Sequence, residues 1–374
     1  MFPFTFATAD TIRFGRGVVA EASSFALARA RKVLLVRSRS VPAADRIAKA
    51  LRNSAEVLEL TATGEPDLPG IIEDLAKTRD FAAEIVIAIG GGAVIDHGKA
   101  LAALLPAPHG PMRYLEVVGE GQPLDAPPLP LIAIPTTAGT GAEVTRNAVI
   151  QVPEAARKVS LRDTRMYPAL ALIDPDLCLT CPKAVTLASG LDAITQVIEP
   201  FICARANPMT DTLCQDAIPR GLVALRQLVE HDDTSAWDDM ALTSVFGGLA
   251  LANSGLGAVH GFAGVIGGQT GAAHGAICGA LLPHVLAANL HASPPDSPAN
   301  TRISWVLGQI SQHYGTLTEF STWCRDHGLE TLEQLGVSPA QHDQIVQDAR
   351  NASSFKANPA DLDIPSLKHI LSQA

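Results

Sequence analysis

The sequence predicts an α/β N-terminal domain with a parallel sheet and nucleotide-binding loops over residues 1–180, followed by an all-α C-terminal domain over residues 181–374. Three observations predict it. Short β-branched apolar runs alternate with helical patterns as far as residue 180 or so. Two of those runs end in glycine-rich loops. Beyond Pro182 the strand-like runs stop, and long Ala/Leu/Gly-rich helical patterns continue to the end. A chain of 374 residues also exceeds one ordinary core, which favours two domains.

Taken in order, "KVLLVRS" (32–38), "EIVIAIGGG" (84–92), "LPLIAIPTT" (129–137) and "ALALIDP" (169–175) read as buried strands. Continuous apolar runs of this kind belong to a parallel sheet covered on both faces. Between the first two, "AADRIAKALRNSAEVLEL" (43–60) reads as an amphipathic helical stretch. In the second half, "SPPDSPANT" (293–301) reads as a loop between helices and "ANPADLDIP" (357–365) as a late turn.

Composition excludes several classes. Apolar residues make up 47% and charged residues 18%, as in a globular protein with a large interior. The net charge of −10 gives no basic footprint for nucleic acid or for an anionic membrane surface. No apolar run reaches the ~18 residues of a membrane span. "MFPFTFATADTIRF" lacks the basic start and small-residue cleavage site of a signal peptide, so the cytoplasm is the expected compartment. Six cysteines do not make a disulfide framework in a chain this long. Cys178 and Cys181 form a CxxC, but no second pair exists for zinc and the pair opens no helix after a strand. It reads as incidental packing near the domain boundary.

"IGGGAVIDHGKA" (89–100) places Gly90, Gly91 and Gly92 after a strand and before a helix. Consecutive glycines let backbone approach a phosphate, and the helix start offers free N–H groups. "IPTTAGTGAEVT" (134–145) is a second such loop, with Thr136, Thr137 and Thr140 beside Gly139 and Gly141. Hydroxyls and backbone there can wrap a nucleotide. The first strand ends in "VRSRS". An acidic residue at that place would hold the adenosine ribose, whereas Ser38 between Arg37 and Arg39 admits a 2′-phosphate. This tilts the expectation slightly towards NADP(H) over NAD(H); two solvated arginines are the alternative.

In "LASGLDAITQVIEPF" (187–201), Asp192 and Gln196 are four residues apart and share a helix face. "AVHGFAGVIGGQTGAAHGAICGALLPHV" (258–285) carries His260 and His274, and its "GGQTGA" break lets two helical segments face each other. Two imidazoles and a carboxylate suit Fe or Zn. Core packing or capping is the alternative for each histidine.

These motifs, with "ANPMTD" (206–211), stand in the order and spacing of the iron-containing (group III) alcohol dehydrogenases, which the chain resembles from about Arg13 to "ANPADLD". That family has a dehydroquinate synthase-like fold and includes maleylacetate reductases. The resemblance implies an NAD(P)-dependent oxidoreductase interconverting a small aldehyde or ketone and its alcohol. It implies that Gly90, Gly91 and Gly92 hold the cofactor pyrophosphate, with Asp96 and Lys99 completing the motif. Thr136, Thr137 and Thr140 would contact the nucleotide, and Lys158 matches a lysine near the cofactor. Asp192, His260 and His274 match three of four metal ligands, and the family's fourth, a histidine, is Gln196 here. A further family histidine, associated with proton transfer, is Gly264 here, while the usual serine after the glycines is Ala93 and the usual acid after the first strand is Ser38.

A glutamine carbonyl can coordinate a cation but is a weaker donor than imidazole, so a weakened site for Fe or Zn is expected. Without metal, Gln196 with protonated His260 or His274 can donate hydrogen bonds to a substrate oxygen, and either histidine can supply a proton. No Lys or Arg occurs between His231 and Thr301, which favours a neutral carbonyl substrate. A carboxylate substrate would need a clamp from elsewhere, such as Arg146 or Lys356. The alternatives are a metal-independent maleylacetate-type reductase and a non-redox member of the same superfold. The family implies a homodimer, with no nucleic-acid or membrane partner.

Overall fold

A computed structural model describes residues 3–374. They group into two units: an α/β unit of residues 8–137 and 142–180, and a helical unit of residues 181–374 joined by the short segments before residue 8 and at 138–141.

The α/β unit runs β1 (Ile12–Phe14), α1 (Glu21–Leu27), β2 (Lys32–Arg37), α2 (Pro42–Leu51), β3 (Glu56–Thr61), α3 (Leu68–Thr78), β4 (Ile85–Gly90), α4 (Gly92–Leu104), β5 (Leu131–Pro135), β6 (Asn147–Val152), β7 (Arg157–Arg162) and β8 (Leu170–Ile173). Six strands form one parallel sheet in the order β1-β8-β5-β4-β2-β3. Val33, Leu35, Ile85, Ile87, Ile132 and Ile134 enter the core on one face, and Leu34, Val36, Val86, Ala88, Leu131 and Ala133 the core on the other. Both side-chain sets are buried, which is why these strands read as unbroken apolar runs. Pro42 opens α2, and Asp67 caps α3 by accepting from the Gly70 amide at 2.7 Å.

Several elements depart from the sequence expectation. Residues 56–60, expected as helix, belong to the edge strand β3, whose side chains are mostly half-buried and therefore give no clear strand period. β1 is too short to signal itself. β6 and β7 form a separate antiparallel hairpin rich in polar residues. The 293–301 loop is shorter than expected, because Pro298 begins a helix capped by Ser297.

The helical unit contains α5 (Lys183–Ile202), α6 (Pro208–His231), α7 (Trp237–Asn253), α8 (Ala258–Thr270), α9 (His274–Ala292), α10 (Pro298–Tyr314), α11 (Leu317–Asp326), α12 (His342–Asn351) and α13 (Ile364–Gln373). Asn207 and Thr210 form a capping box that starts α6 just before Pro208. Gly271, at φ +71°, ends α8, and Ala273 leads into α9. α9 is the one helix among the described residues that by itself is long and apolar enough to cross a membrane, and most of it is buried within this unit. Its scattered Gly, His and Pro residues hide it from a count of unbroken apolar runs.

Candidate active site

The chain order reverses direction in the sheet between β2 and β4, and ligands of such sheets sit beyond the carboxyl ends at that point. Ser38 follows β2, and its amide donates to the Ile89 carbonyl at 3.1 Å. A Cβ at Gly90 would collide with the Ser38 hydroxyl and the Val94 side chain, so only glycine fits there. The Thr136 amide donates to the Gly90 carbonyl at 2.9 Å, and Thr137 lies beside Gly91. Ser38, Gly90, Gly91, Gly92, Thr136 and Thr137 thus gather at the ends of β2, β4 and β5, with α4 starting among them.

The other residues expected beside the cofactor are engaged by protein groups. Lys99 is buried and donates to the Thr145 hydroxyl at 2.6 Å and the Asn147 carbonyl at 3.0 Å. Asp96 accepts from the Val149 amide at 3.0 Å, 3.9 Å from the Lys99 ammonium. Together they tie α4 to the β6 strand. Burial pushes the Asp96 carboxyl up to about 6, the neighbouring Glu143 carboxyl up to about 7, and the Lys99 ammonium down to about 8. Lys158 lies on β7 with its ammonium 2.5 Å from Glu65. Arg37, expected to welcome a phosphate, is buried and held by Asp45 at 2.5 Å and Glu59 at 3.2 Å. Of the two arginines at that strand end, Arg39 is the exposed one.

Gly139 and Gly141 belong with the helical unit. A Cβ at Gly139 would meet Ser189 of α5, and one at Gly141, φ +58°, would meet the backbone of Ser244 and Gly248 in α7. These glycines therefore serve close backbone approach. Thr140 lies between them.

Three helices build the second cluster. α5 carries Asp192 and Gln196 one turn apart, α8 carries His260 near its start, and His274 is the first residue of α9. A Cβ at Gly275 would collide with the Ala188 carbonyl and one at Gly279 with Leu191, so these glycines let α9 lie close on α5. The result sets His260 Nε2 3.5 Å and His274 Nε2 3.9 Å from Asp192 Oδ1. The two imidazole centroids are 5.3 Å apart. Asp192, Gln196 and His260 are buried, while the His274 side chain is 30% exposed.

Sequence reasoning missed Glu199, which stands seven residues after Asp192 on the same helix. Its carboxylate lies 2.6 Å from His260 Nδ1 and accepts from the Val259 amide at 2.7 Å, turning His260 Nε2 towards Asp192. It also missed Cys278, one turn after His274 on α9. The signal in each case was helical spacing from a residue already singled out.

Burial lowers the His260 imidazole, but Asp192 and Glu199 outweigh it and raise that group to about 9. Burial likewise opposes ionisation of Asp192, and the two imidazoles reverse it, holding the carboxyl below its ordinary value. Asp192 Oδ1, His260 Nε2 and Gln196 Oε1 are buried with no hydrogen-bond partner. An unsatisfied buried polar group costs about 1–3 kcal/mol, and two donors bound to one zinc at about 2.0–2.2 Å sit roughly 3–4 Å apart. The residues present fit a divalent cation. At Gly264, where the family carries a histidine, a Cβ would meet nothing within 4 Å.

The CxxC cysteines are outside this cluster and form no disulfide, and burial raises the Cys181 thiol, the opposite of a redox pair.

Residues 9–175 match the model of the iron-containing alcohol dehydrogenases, and residues 186–374 match that of the family's C-terminal domain. The chain belongs to the iron-containing alcohol dehydrogenase family. It is 35% identical to a lactaldehyde reductase of Escherichia coli (strain K12), over 75% of this chain and 74% of that protein. It is 32% identical to alcohol dehydrogenase 4 of Saccharomyces cerevisiae (strain ATCC 204508 / S288c), over 79% of this chain and 76% of that one. The structure of a 1,3-propanediol oxidoreductase superposes over all of both chains with a TM-score of 0.88 at 27% identity. This iron-containing alcohol dehydrogenase is therefore an enzyme of alcohol–aldehyde oxidoreduction, with the family's α/β and helical halves.

Proposed function

We propose that the enzyme interconverts a small neutral aldehyde or ketone and its alcohol with NAD(H) or NADP(H), at a divalent-cation site weakened by Gln196. The observation that carries this reading is the convergence of buried, partnerless polar atoms of Asp192 and His260, with His274 facing the same carboxylate. A cation held there would supply Lewis-acid polarisation of the substrate oxygen, and a bound nicotinamide would supply or accept the hydride. Asp192, His260 and His274 hold the cation, with the Gln196 carbonyl oxygen within the same cluster. Glu199 keeps a proton on His260 Nδ1, so that Nε2 remains a donor. The Gln196 amide nitrogen donates to the Gly139 carbonyl at 3.0 Å, which fixes the side chain. His274 is the solvent-reaching member of the set, and only with the cation absent can its Nε2 exchange the proton of the alcohol.

Gly90, Gly91, Gly92, Ser38, Thr136, Thr137 and Thr140 bind the cofactor, and Asp96, Lys99 and Lys158 shape its surroundings through the hairpin. With Arg37 held by two carboxylates, recognition of a 2′-phosphate falls to Ser38 and Arg39. The names of the lactaldehyde and 1,3-propanediol relatives support a short, uncharged, hydroxylated substrate. The absence of Lys and Arg from His231 to Thr301 points the same way.

The test is consumption of NADH and NADPH with a panel of three- and four-carbon aldehydes and ketones, before and after dialysis against a chelator. Saturable, carbonyl-dependent consumption that is lost on chelation and restored by Zn or Fe is the expected result. Consumption independent of every carbonyl would sink the reading, and full activity after chelation would remove the cation from it.

A further inference from the structure

We propose that Cys278 is a protein donor to this cation, as a thiolate, in place of the imidazole that position 196 lacks. The inference rests on Asp192, His260 and His274 forming the cation site. The ligating atoms of Asp192, His260, His274 and Cys278 all lie within 4.8 Å of one another. Cys278 is fully buried and one helical turn from His274, so both side chains leave α9 on the same face. That face is brought to Asp192 by Gly275 and Gly279, whose missing side chains admit Ala188 and Leu191 of α5.

Charge and chemistry favour the thiolate over the amide. Gln196 has its nitrogen committed to the Gly139 carbonyl and offers only a neutral oxygen. Asp192 and a Cys278 thiolate together neutralise a divalent cation, and a buried site free of net charge avoids a large desolvation cost. Binding displaces the thiol proton to solvent, leaving two anionic and two neutral imidazole donors. A sulfur donor in the set also changes the preferred metal. Thiolate with imidazole selects Zn(II) over Fe(II), so this chain becomes a zinc enzyme within an iron-named family.

Cobalt(II) substitution of the whole protein tests this without assaying turnover. The expected wild-type spectrum contains a thiolate-to-cobalt charge-transfer band in the near ultraviolet, besides the visible d–d bands. Cys278→Ala, and the near-isosteric Cys278→Ser should alanine not fold, lose the charge-transfer band and keep d–d absorption. Competition with a chromogenic chelator should show zinc affinity reduced at least ~tenfold in the Cys278 variants, since even outer partners of a ligand cost that much. Gln196→Ala should reduce it less than the Cys278 variants do. Cobalt d–d bands without charge transfer in the wild type would overturn the thiolate while leaving the cation site standing. No cobalt binding at all would overturn both. Loss of affinity in Gln196→Ala but not in Cys278→Ala would assign the donor to the amide.

Discussion

Two of the buried clusters of ionisable groups among the described residues, one in each unit, are satisfied differently. In the α/β unit the Lys99 ammonium has two hydrogen-bond acceptors and Asp96 takes a backbone amide. In the helical unit Asp192 Oδ1, His260 Nε2 and Gln196 Oε1 are left without hydrogen-bond partners. Both sets of groups have shifted titration, so a perturbed pKa alone does not separate them. Partner completeness does: a closed network holds structure together, whereas polar atoms left open and converging on one point suit a ligand. Asp96 and Lys99, which the family resemblance puts beside the cofactor, also tie the hairpin to the helix that follows the triple glycine.

The sharpest way to break this contrast is to remove a member of the closed network. Lys99→Met leaves Asp96 and Glu143 buried near an apolar chain, and breaking a buried pair in this way costs about 3–5 kcal/mol. A large fall in Tm is expected, and the double variant with Asp96→Asn should recover much of it. An unchanged Tm would mean that the network is not structural.

The open cluster should respond in the opposite sense. Asp192→Ala removes an unsatisfied buried oxygen but also the attraction to His260, opposing effects, so Tm should fall much less than in Lys99→Met. Turnover should fall at least ~100-fold, about 2.7 kcal/mol, because a direct ligand matters at least as much as its outer partners. Collapse of the fold with retained specific activity would invert the assignment of the two clusters.

How much of this was legible in the sequence follows the same division. β2, β4, β5 and β8 were readable because both faces are buried and the apolar runs are unbroken. β3 and the β6–β7 hairpin were not, because edge and hairpin strands expose half their residues and blur the pattern. Asp192, His260 and His274 were marked by spacing and family motif. Glu199 and Cys278 were passed over although each stands at helical spacing from one of these. Arg37 was misread because the groups that hold it, Asp45 and Glu59, come from α2 and β3, and no local pattern reveals a partner 22 residues away.

Titration of Glu143 offers a finer test of the closed network. Its folded-state value of about 7 lies above the ordinary 4.5, so the native state keeps a proton that the unfolded chain has released. Wild-type stability from this group is therefore lost as pH rises from about 4.5 through 7 and stays lost above it. Glu143→Gln lacks the effect, so its advantage over wild type should grow across that window to about 1–3 kcal/mol. Denaturant unfolding of both proteins at pH 5 and pH 8 measures it, and an advantage that shrinks with pH would reverse the assigned shift.

The smallest effect probes the space beside the open cluster. Gly264 lies on α8 one turn beyond His260, with nothing within 4 Å of where a Cβ would stand. Glycine inside a helix costs roughly 0.5–1 kcal/mol relative to alanine, so Gly264→Ala should raise Tm slightly. If the space serves substrate rather than packing, the same change should raise KM for branched carbonyls while leaving short ones unaffected. A drop in Tm would show that the glycine is needed by the backbone, and equal KM values across the panel would show that substrates do not use the space. The two readouts separate helix propensity from substrate room, because propensity acts on folding alone and cannot discriminate between carbonyls.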